Sequence, residues 1–227
     1  NKGSGVTDKG TMAQDPDEPF DVLDATGAPT GRVKGRAAVH LDGDWHRALH
    51  IWVAGHDESG EPFLMFQRRS AAKDTWPGRF DTTVGGHFRA GETLAEAMRE
   101  VEEEIGLSAT GLTLRRLGTR ISVTESPPLC DHELQEVFLL LDSRPLSDYR
   151  PHPVELSALA RFPLRQLLAL FTGEVSRIDG EAVLPGSLAP EAVTAVADDF
   201  IPGVDRYGLR IAIAAQNVLR GDRYVAL

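Results

Sequence analysis

The chain has 227 residues, 41% of them hydrophobic and 26% charged, with a formal net charge of −10. That length supports one or two domains with a sizeable core, and the acidic balance argues against a general nucleic-acid or membrane-surface binder. An anionic substrate stays compatible with it, because a bound divalent cation reverses the sign of the field locally.

One cysteine, Cys130, excludes an internal disulfide, so a reducing, cytoplasmic setting is the expectation. No apolar run reaches membrane-spanning length and no signal-peptide pattern is visible. The stretch NKGSGVTDKGT before Met12 is small and polar. It reads as an expression remnant over residues 1–11, with the native start at Met12.

In chain order, Phe20–Arg36 predicts a short hairpin turning near Ala25–Gly31. HRALHIWVAG and PFLMFQRRS predict two strands joined by the turn Asp57–Gly60, and TTVGGHFRAGE a glycine-rich loop leading into a helix. LTLRRLGTRISVTE and HELQEVFLLLD predict strands. FPLRQLLALF predicts a helix with Leu164, Leu167, Leu168 and Phe171 on one face. Val175–Ala189 reads as loop, and Pro190–Leu219 as helix interrupted near Pro202-Gly203. Strands on both sides of one helix, followed by more helix, predict an α+β mixed sheet covered by helices. The expected organisation is one domain over 12–175 with a C-terminal helical extension, 176–227, packed on it. An apolar face left exposed on the last helix would mark a homodimer surface.

GGHFRAGETLAEAMREVEEEIGL, Gly85–Leu107, carries the chemistry. Thr93 with Glu96 makes a capping box and Gly106 a stop, which predicts a helix over Leu94–Ile105. Leu94, Ala97, Met98, Val101 and Ile105 form its buried stripe. Glu96, Glu100, Glu103 and Glu104 share another face, and Arg99 alone cannot neutralise them. Carboxylates crowd the end where the helix dipole is negative, which breaks a local rule as functional sites do. A solvated acidic face is the bland reading. Mg²⁺ held by oxygen ligands beside substrate phosphates resolves the conflict.

These residues resemble the Nudix hydrolase signature: Gly, five residues, Glu, seven residues, then Arg-Glu-apolar-x-Glu-Glu-x-Gly-apolar. Gly86 and Glu92 match its first part, and Arg99–Leu107 matches the second throughout. Six residues, not seven, separate Glu92 from Arg99, which leaves the role of Glu92 open. The resemblance implies an α/β/α sandwich and Mg²⁺- or Mn²⁺-dependent hydrolysis of a small-molecule diphosphate, with no nucleic-acid or membrane partner. It implies Glu100, Glu103, Glu104 and the Gly85 backbone as metal ligands, Arg99 as the residue orienting the glutamates, and a glutamate handling the attacking water.

Over Phe20–Phe171 the chain also resembles isopentenyl-diphosphate isomerase, a Nudix-fold enzyme that is not a hydrolase. LMFQRRSAAKDTWPGRFDTTVGGH, Leu64–His87, carries much of this likeness. That resemblance implies a second metal site at His40, His46, His87, Asp131 and Glu133, against ordinary hydrogen-bonded histidines. The isomerase's essential cysteine falls on Gly85, and isomerases have a degraded Nudix signature where this chain keeps its glutamates. The chain is therefore expected among isomerase-like Nudix hydrolases, with an isomerase and a non-catalytic metabolite sensor as the rivals. Arg69 and Lys73 are candidates to hold a diphosphate, or else surface charge. Glu133 and Glu136 lie three apart on one strand and so face opposite ways, which makes Glu136 the alternative to Glu133. Cys130 reads as a bystander.

Overall fold

The computed structural model describes residues 15–73, 75–126 and 129–227, so the expected start at Met12 lies outside the described residues. The strands are β1 (Pro19–Leu23), β2 (Pro29–Gly35), β3 (Trp45–His56), β4 (Pro62–Arg69), β5 (Phe80–Asp81), β6 (Val84–His87), β7 (Leu114–Ser126), β8 (Leu129–Leu141), β9 (Leu156–Pro163), β10 (Arg177–Val183) and β11 (Glu191–Val196). The helices are α1 (Arg36–Asp42), α2 (Leu94–Ala97), α3 (Arg99–Ile105), α4 (Leu164–Thr172) and α5 (Tyr207–Leu219). The strands join in one sheet, with the order β11-β10-β9-β4-β3-β1-β2 and with β8 bridging β3 and β7. β3 runs parallel to β8 and antiparallel to β4 and β6, which makes the sheet mixed.

Strand alternation feeds two cores, one on each face. Leu49, Ile51 and Val53 of β3 pack with Val101 and Ile105 of α3. Trp52 and Ala54 pack on the other side with Leu164, Leu167 and Leu170 of α4 and Ile211, Ala215 and Val218 of α5. Helices thus cover both faces, the expected α/β/α arrangement. The last helix spends its apolar stripe on this core, leaving Ile213 as its exposed large hydrophobic residue. Among the described residues no helix is long and apolar enough to cross a membrane.

Three expectations are corrected. Val84–His87 is not loop: Gly85 and Gly86 pair with His50 and Leu49 of β3 as a short strand. The acidic helix is broken at Met98, whose ψ of −10° and the tighter bond from Val101 N–H to Met98 C=O separate α2 from α3. The stretch 176–227 is not a helical extension. β10 pairs with β9, β11 pairs with β10, and helix begins only at Tyr207. The valines and threonine of EAVTAV suit a pleated surface better than a helix. The apolar spacing there fits either structure.

Candidate active site

The site is built on one face of the sheet. From β3 that face takes His46, Ala48, His50 and Trp52, every second residue. Register sets Glu133 of β8 beside His46 and Gln135 beside Ala48. On β7, Thr124, Ser122 and Arg120 oppose Asp131, Glu133 and Gln135. β6 sets His87 opposite Ala48 and Gly85 opposite His50. A cavity of about 810 Å³ opens over this face.

The carboxylates of α3 stand at its β6 edge. Glu104 is buried, and its Oε2 accepts the Gly85 N–H at 3.1 Å and a Gln67 amide N–H at 3.1 Å. Glu100 lies against Gly86, where any Cβ would meet it at 2.5 Å, so glycine is required for this approach. Arg99 donates to Glu100 at 2.7 Å and lies 3.4 Å from Glu92 and 3.7 Å from Glu18. It therefore orients Glu100 from behind, outside the cavity lining. Burial, outweighing Arg99 and reinforced by Glu103, pushes the Glu100 carboxyl up to about 7. Burial and the neighbouring Glu100 push Glu104 well above the usual carboxylate range. Glu103 is exposed and lines the cavity. Glu92 accepts the Arg89 N–H at 2.8 Å and does not line the cavity.

The histidines come together as expected. His40 Nε2 and His46 Nε2 are 3.4 Å apart, and His46 Nε2 is 3.5 Å from Asp131 Oδ1. His87 Nε2 lies 2.9 Å from Glu133 Oε1. Phe20 stacks on both His46 and His87, with centroids at 5.3 and 5.0 Å. Burial holds His40 down at about 4 and His87 at about 3, so both rings are neutral at pH 7 with lone pairs available. Burial, with the charge of Glu133 beside it, pushes Asp131 up to about 7.

Both clusters fit a divalent cation. Among the described residues, two sets of three possible ligand atoms lie within 4.8 Å of one another: His40–His46–His87 and His46–Asp131–Glu133. Asp131 Oδ1 is buried without a hydrogen-bond partner, as a ligand atom facing a cation would be. The α3 glutamates are spread more widely, which suits Mg²⁺, an ion that keeps waters and shares substrate phosphates. Glu100 raises the ionisation of Glu104 alongside burial, and a cation would relieve that repulsion.

Arg69 and Lys73 line the cavity, already engaged with protein groups. Arg69 donates to Asp81 at 3.0 Å and to Thr75, and Lys73 pairs with Glu155. Arg68 is exposed and outside it, as strand alternation predicts. Glu136 is bonded to Arg47 at 2.9 Å on the far face and does not line the cavity, so of the two strand glutamates Glu133 faces the site. Cys130 is half-buried and also outside it.

Sequence reasoning missed several lining residues: Glu18, Arg36, Arg89, His50, Arg120 and Tyr207. Arg36 reaches His87 Nδ1 at 3.2 Å, and Arg89 reaches Glu18 at 2.8 Å. Arg120 donates to Gln135 at 2.7 Å and Gln135 to Glu133 at 2.6 Å. Of these, only His50 carried a signal, since it shares the period-two face of His46. The others depend on pairings between distant segments.

Comparisons with known proteins identify the family and the fold. The sequence model of the NUDIX domain matches residues 45–179. Nudix hydrolase 3 of Arabidopsis thaliana is 36% identical over 155 residues; the match covers 66% of this chain and 20% of that protein, so the chain spans only a fifth of that relative. An uncharacterized Nudix hydrolase of Clostridium acetobutylicum is 27% identical, across 85% of this chain and 93% of its own length. The isopentenyl-diphosphate isomerase of Escherichia coli is 32% identical, across 55% of this chain and 67% of its own. The fold is that of a Deinococcus radiodurans crystal structure, with a TM-score of 0.51 and 23% identity over 69% of this chain and 90% of the other. The signature on α3, the α/β/α sheet and the matched domain agree: this chain belongs to the Nudix domain family, with named Nudix hydrolases among its relatives.

Proposed function

We propose that the protein is a Mg²⁺- or Mn²⁺-dependent hydrolase that cleaves a diphosphate bond in a nucleotide-type or other small phosphorylated metabolite. One observation carries the reading. Buried Glu104 and half-buried Glu100 pack against the side-chain-free Gly85–Gly86 segment of β6, at the edge of a cavity of about 810 Å³. Burial and the repulsion between the two carboxylates, which Arg99 offsets at Glu100, favour a bound cation there.

Glu100, Glu103, Glu104 and the Gly85 backbone would hold the cation. Bound there, a divalent ion neutralises diphosphate oxygens and acidifies an attacking water. Arg99 fixes Glu100 through its 2.7 Å hydrogen bond. Glu103, exposed and lining the cavity, would orient the water or take its proton. Arg69 and Lys73 would exchange protein partners for phosphate oxygens. His40, His46, His87, Asp131 and Glu133 would hold a second metal, because neutral imidazoles beside carboxylates suit a transition metal.

Isomerisation of an isoprenyl diphosphate is the second reading. The histidine cluster and the similarity to isomerases favour it. Position 85 speaks against it, since glycine offers no group to move a proton on carbon. The test is a metal-dependent release assay over nucleoside di- and triphosphates, dinucleoside polyphosphates, nucleotide sugars, coenzyme A, NADH and isoprenyl diphosphates. Hydrolysis liberates phosphate or a monophosphate, whereas isomerisation leaves mass and phosphate unchanged.

A further inference from the structure

Tyr207, the first residue of α5, reaches β3 at the cavity. Tyr207 Oη accepts the indole N–H of Trp52 at 3.0 Å and lies 3.1 Å from His50 Nδ1. The contact is built from several directions. Arg206, directly before it, takes the left-handed conformation at φ 53°, ψ 43°, a strained choice for a side chain larger than glycine. It is the N-cap of α5 with no side-chain cap; its backbone N–H donates to the Gly203 C=O at 3.0 Å and its C=O accepts the Arg210 N–H at 3.1 Å. Arg120 lies over the Tyr207 ring, 4.2 Å from its centroid. Asp205 fixes that guanidinium through bonds of 2.6 and 3.2 Å. His50 and Trp52 of β3, Arg120 of β7 and the turn Asp205–Arg206 therefore surround one phenol.

The direction of the hydrogen bonds follows from the donors. Trp52 Nε1 can only donate, so the Tyr207 oxygen is the acceptor there. The phenol keeps its own proton, because burial pushes its ionisation up. His50 Nδ1 is the remaining partner of Tyr207 Oη among the described residues. With the Trp52 N–H already on the phenol oxygen, the hydroxyl proton is free to point at Nδ1, and a donation there goes with an unprotonated Nδ1 and the ring proton on Nε2. His50 lines the cavity, and its Nε2 has no protein partner among the described residues.

We propose that Tyr207 is a positioning residue that locks His50 in the Nε2–H form, making His50 a fixed hydrogen-bond donor to a neutral acceptor on the non-phosphate part of the substrate. The inference rests on the hydrolase reading for the identity of that substrate. His50 lies four residues from His46 along β3, roughly 13 Å at strand spacing. It thus stands between the histidine cluster and the aromatic end of the cavity at Trp52, Phe80 and Phe200. A diphosphate engaged at the carboxylate edge leaves its organic part to this region. A donor there selects for a carbonyl, hydroxyl or ring nitrogen, and against a plain hydrocarbon chain.

The deciding measurement is a long-range ¹H–¹⁵N spectrum of histidine-labelled full-length protein at neutral pH, with the His50 signal assigned by its loss in His50→Gln. The expected result is an unprotonated Nδ1 and a protonated Nε2 in the wild type, averaging toward a tautomer mixture in Tyr207→Phe. Trp52→Phe should keep the single tautomer. A protonated Nδ1 in the wild type overturns the proposal, even if Tyr207→Phe fails to fold. So does an unchanged spectrum in a folded Tyr207→Phe. The kinetic readout uses whichever compound of the release panel the wild type hydrolyses. Tyr207→Phe should raise KM roughly 2- to 10-fold with kcat little changed, the loss of one neutral hydrogen bond. A fall in kcat at constant KM contradicts a role in holding the organic moiety. Silence of the wild type across the panel counts against the hydrolase reading, while the spectrum still decides the lock.

Discussion

Gly86 and Glu100 are in van der Waals register: a Cβ on Gly86 would stand 2.5 Å from Glu100 Cγ and Cδ. The backbone of β6 and the carboxylate of α3 thus occupy space that no other residue pair would share. Gly86→Ala should fold, because the atoms it displaces belong to a side chain. It should also push Glu100 off its bond with Arg99. Displacing an oriented ligand of this kind weakens metal affinity roughly 10- to 100-fold. Mn²⁺ titration followed by electron paramagnetic resonance checks this, with circular dichroism to confirm the fold.

Glu104 tests the electrostatic cost of the site. Burial raises its ionisation well above the ordinary range, so at pH 8 the metal-free protein carries the penalty of a buried charge or of an added proton. Gln at 104 still accepts from Gly85 without that penalty. Metal-free Glu104→Gln should melt higher than wild type by about 2–4 °C for each kcal/mol recovered. It should also lose most of the melting gain that Mg²⁺ gives the wild type. Equal gains in both would remove Glu104 from the metal site.

The pH dependence separates two groups of opposite sign. Glu100 and Asp131 ionise at about 7 in the folded protein, above their ordinary values of 4.5 and 3.8. Between those limits the native state binds more protons than the unfolded chain, so stability falls as pH rises. His40 and His87 are depressed from 6.5 to about 4 and about 3. There the unfolded chain binds more protons, so these histidines make stability rise with pH up to about 6.5. Above that only the carboxylates act. Metal-free protein should therefore lose melting temperature from pH 6.5 to 8, and Glu100→Gln should flatten the slope. The stabilisation by Mg²⁺ should grow over the same window. Thermal scans with and without Mg²⁺ measure all three.

The signature helix was legible because its glutamates break the dipole rule and its spacing is position-specific. Glu133 was separable from Glu136 by strand alternation, and the structure sends Glu136 to Arg47 on the far face. The stretch that forms β10 and β11 was not legible as strand. EAVTAV carries apolar residues that serve a strand or a helix, and only its pairing with β10 selects strand. Tyr207 and Arg120 carry no local mark at all. They meet His50 and Gln135 through sheet register and a contact spanning 157 positions, between Tyr207 and His50.

The histidine cluster makes its own prediction. Wild-type protein should bind Co²⁺ with the visible bands of imidazole ligation. His46→Ala and Asp131→Asn should lose them, since His46 Nε2 and the unpartnered Asp131 Oδ1 lie 3.5 Å apart in the same cluster. Glu103→Gln should retain them, because Glu103 lies outside the histidine cluster. Bands that survive His46→Ala would mean the histidines are ordinary packed rings.

The most direct test of the central claim is the metal-dependent release assay run on wild type and Glu103→Gln side by side. The account predicts Mg²⁺- or Mn²⁺-dependent cleavage of at least one diphosphate by wild type. It predicts a loss of at least about 100-fold in the folded variant, the usual scale for removing a general base. Wild-type rates in Glu103→Gln would contradict the assignment of the α3 glutamates as the reacting centre.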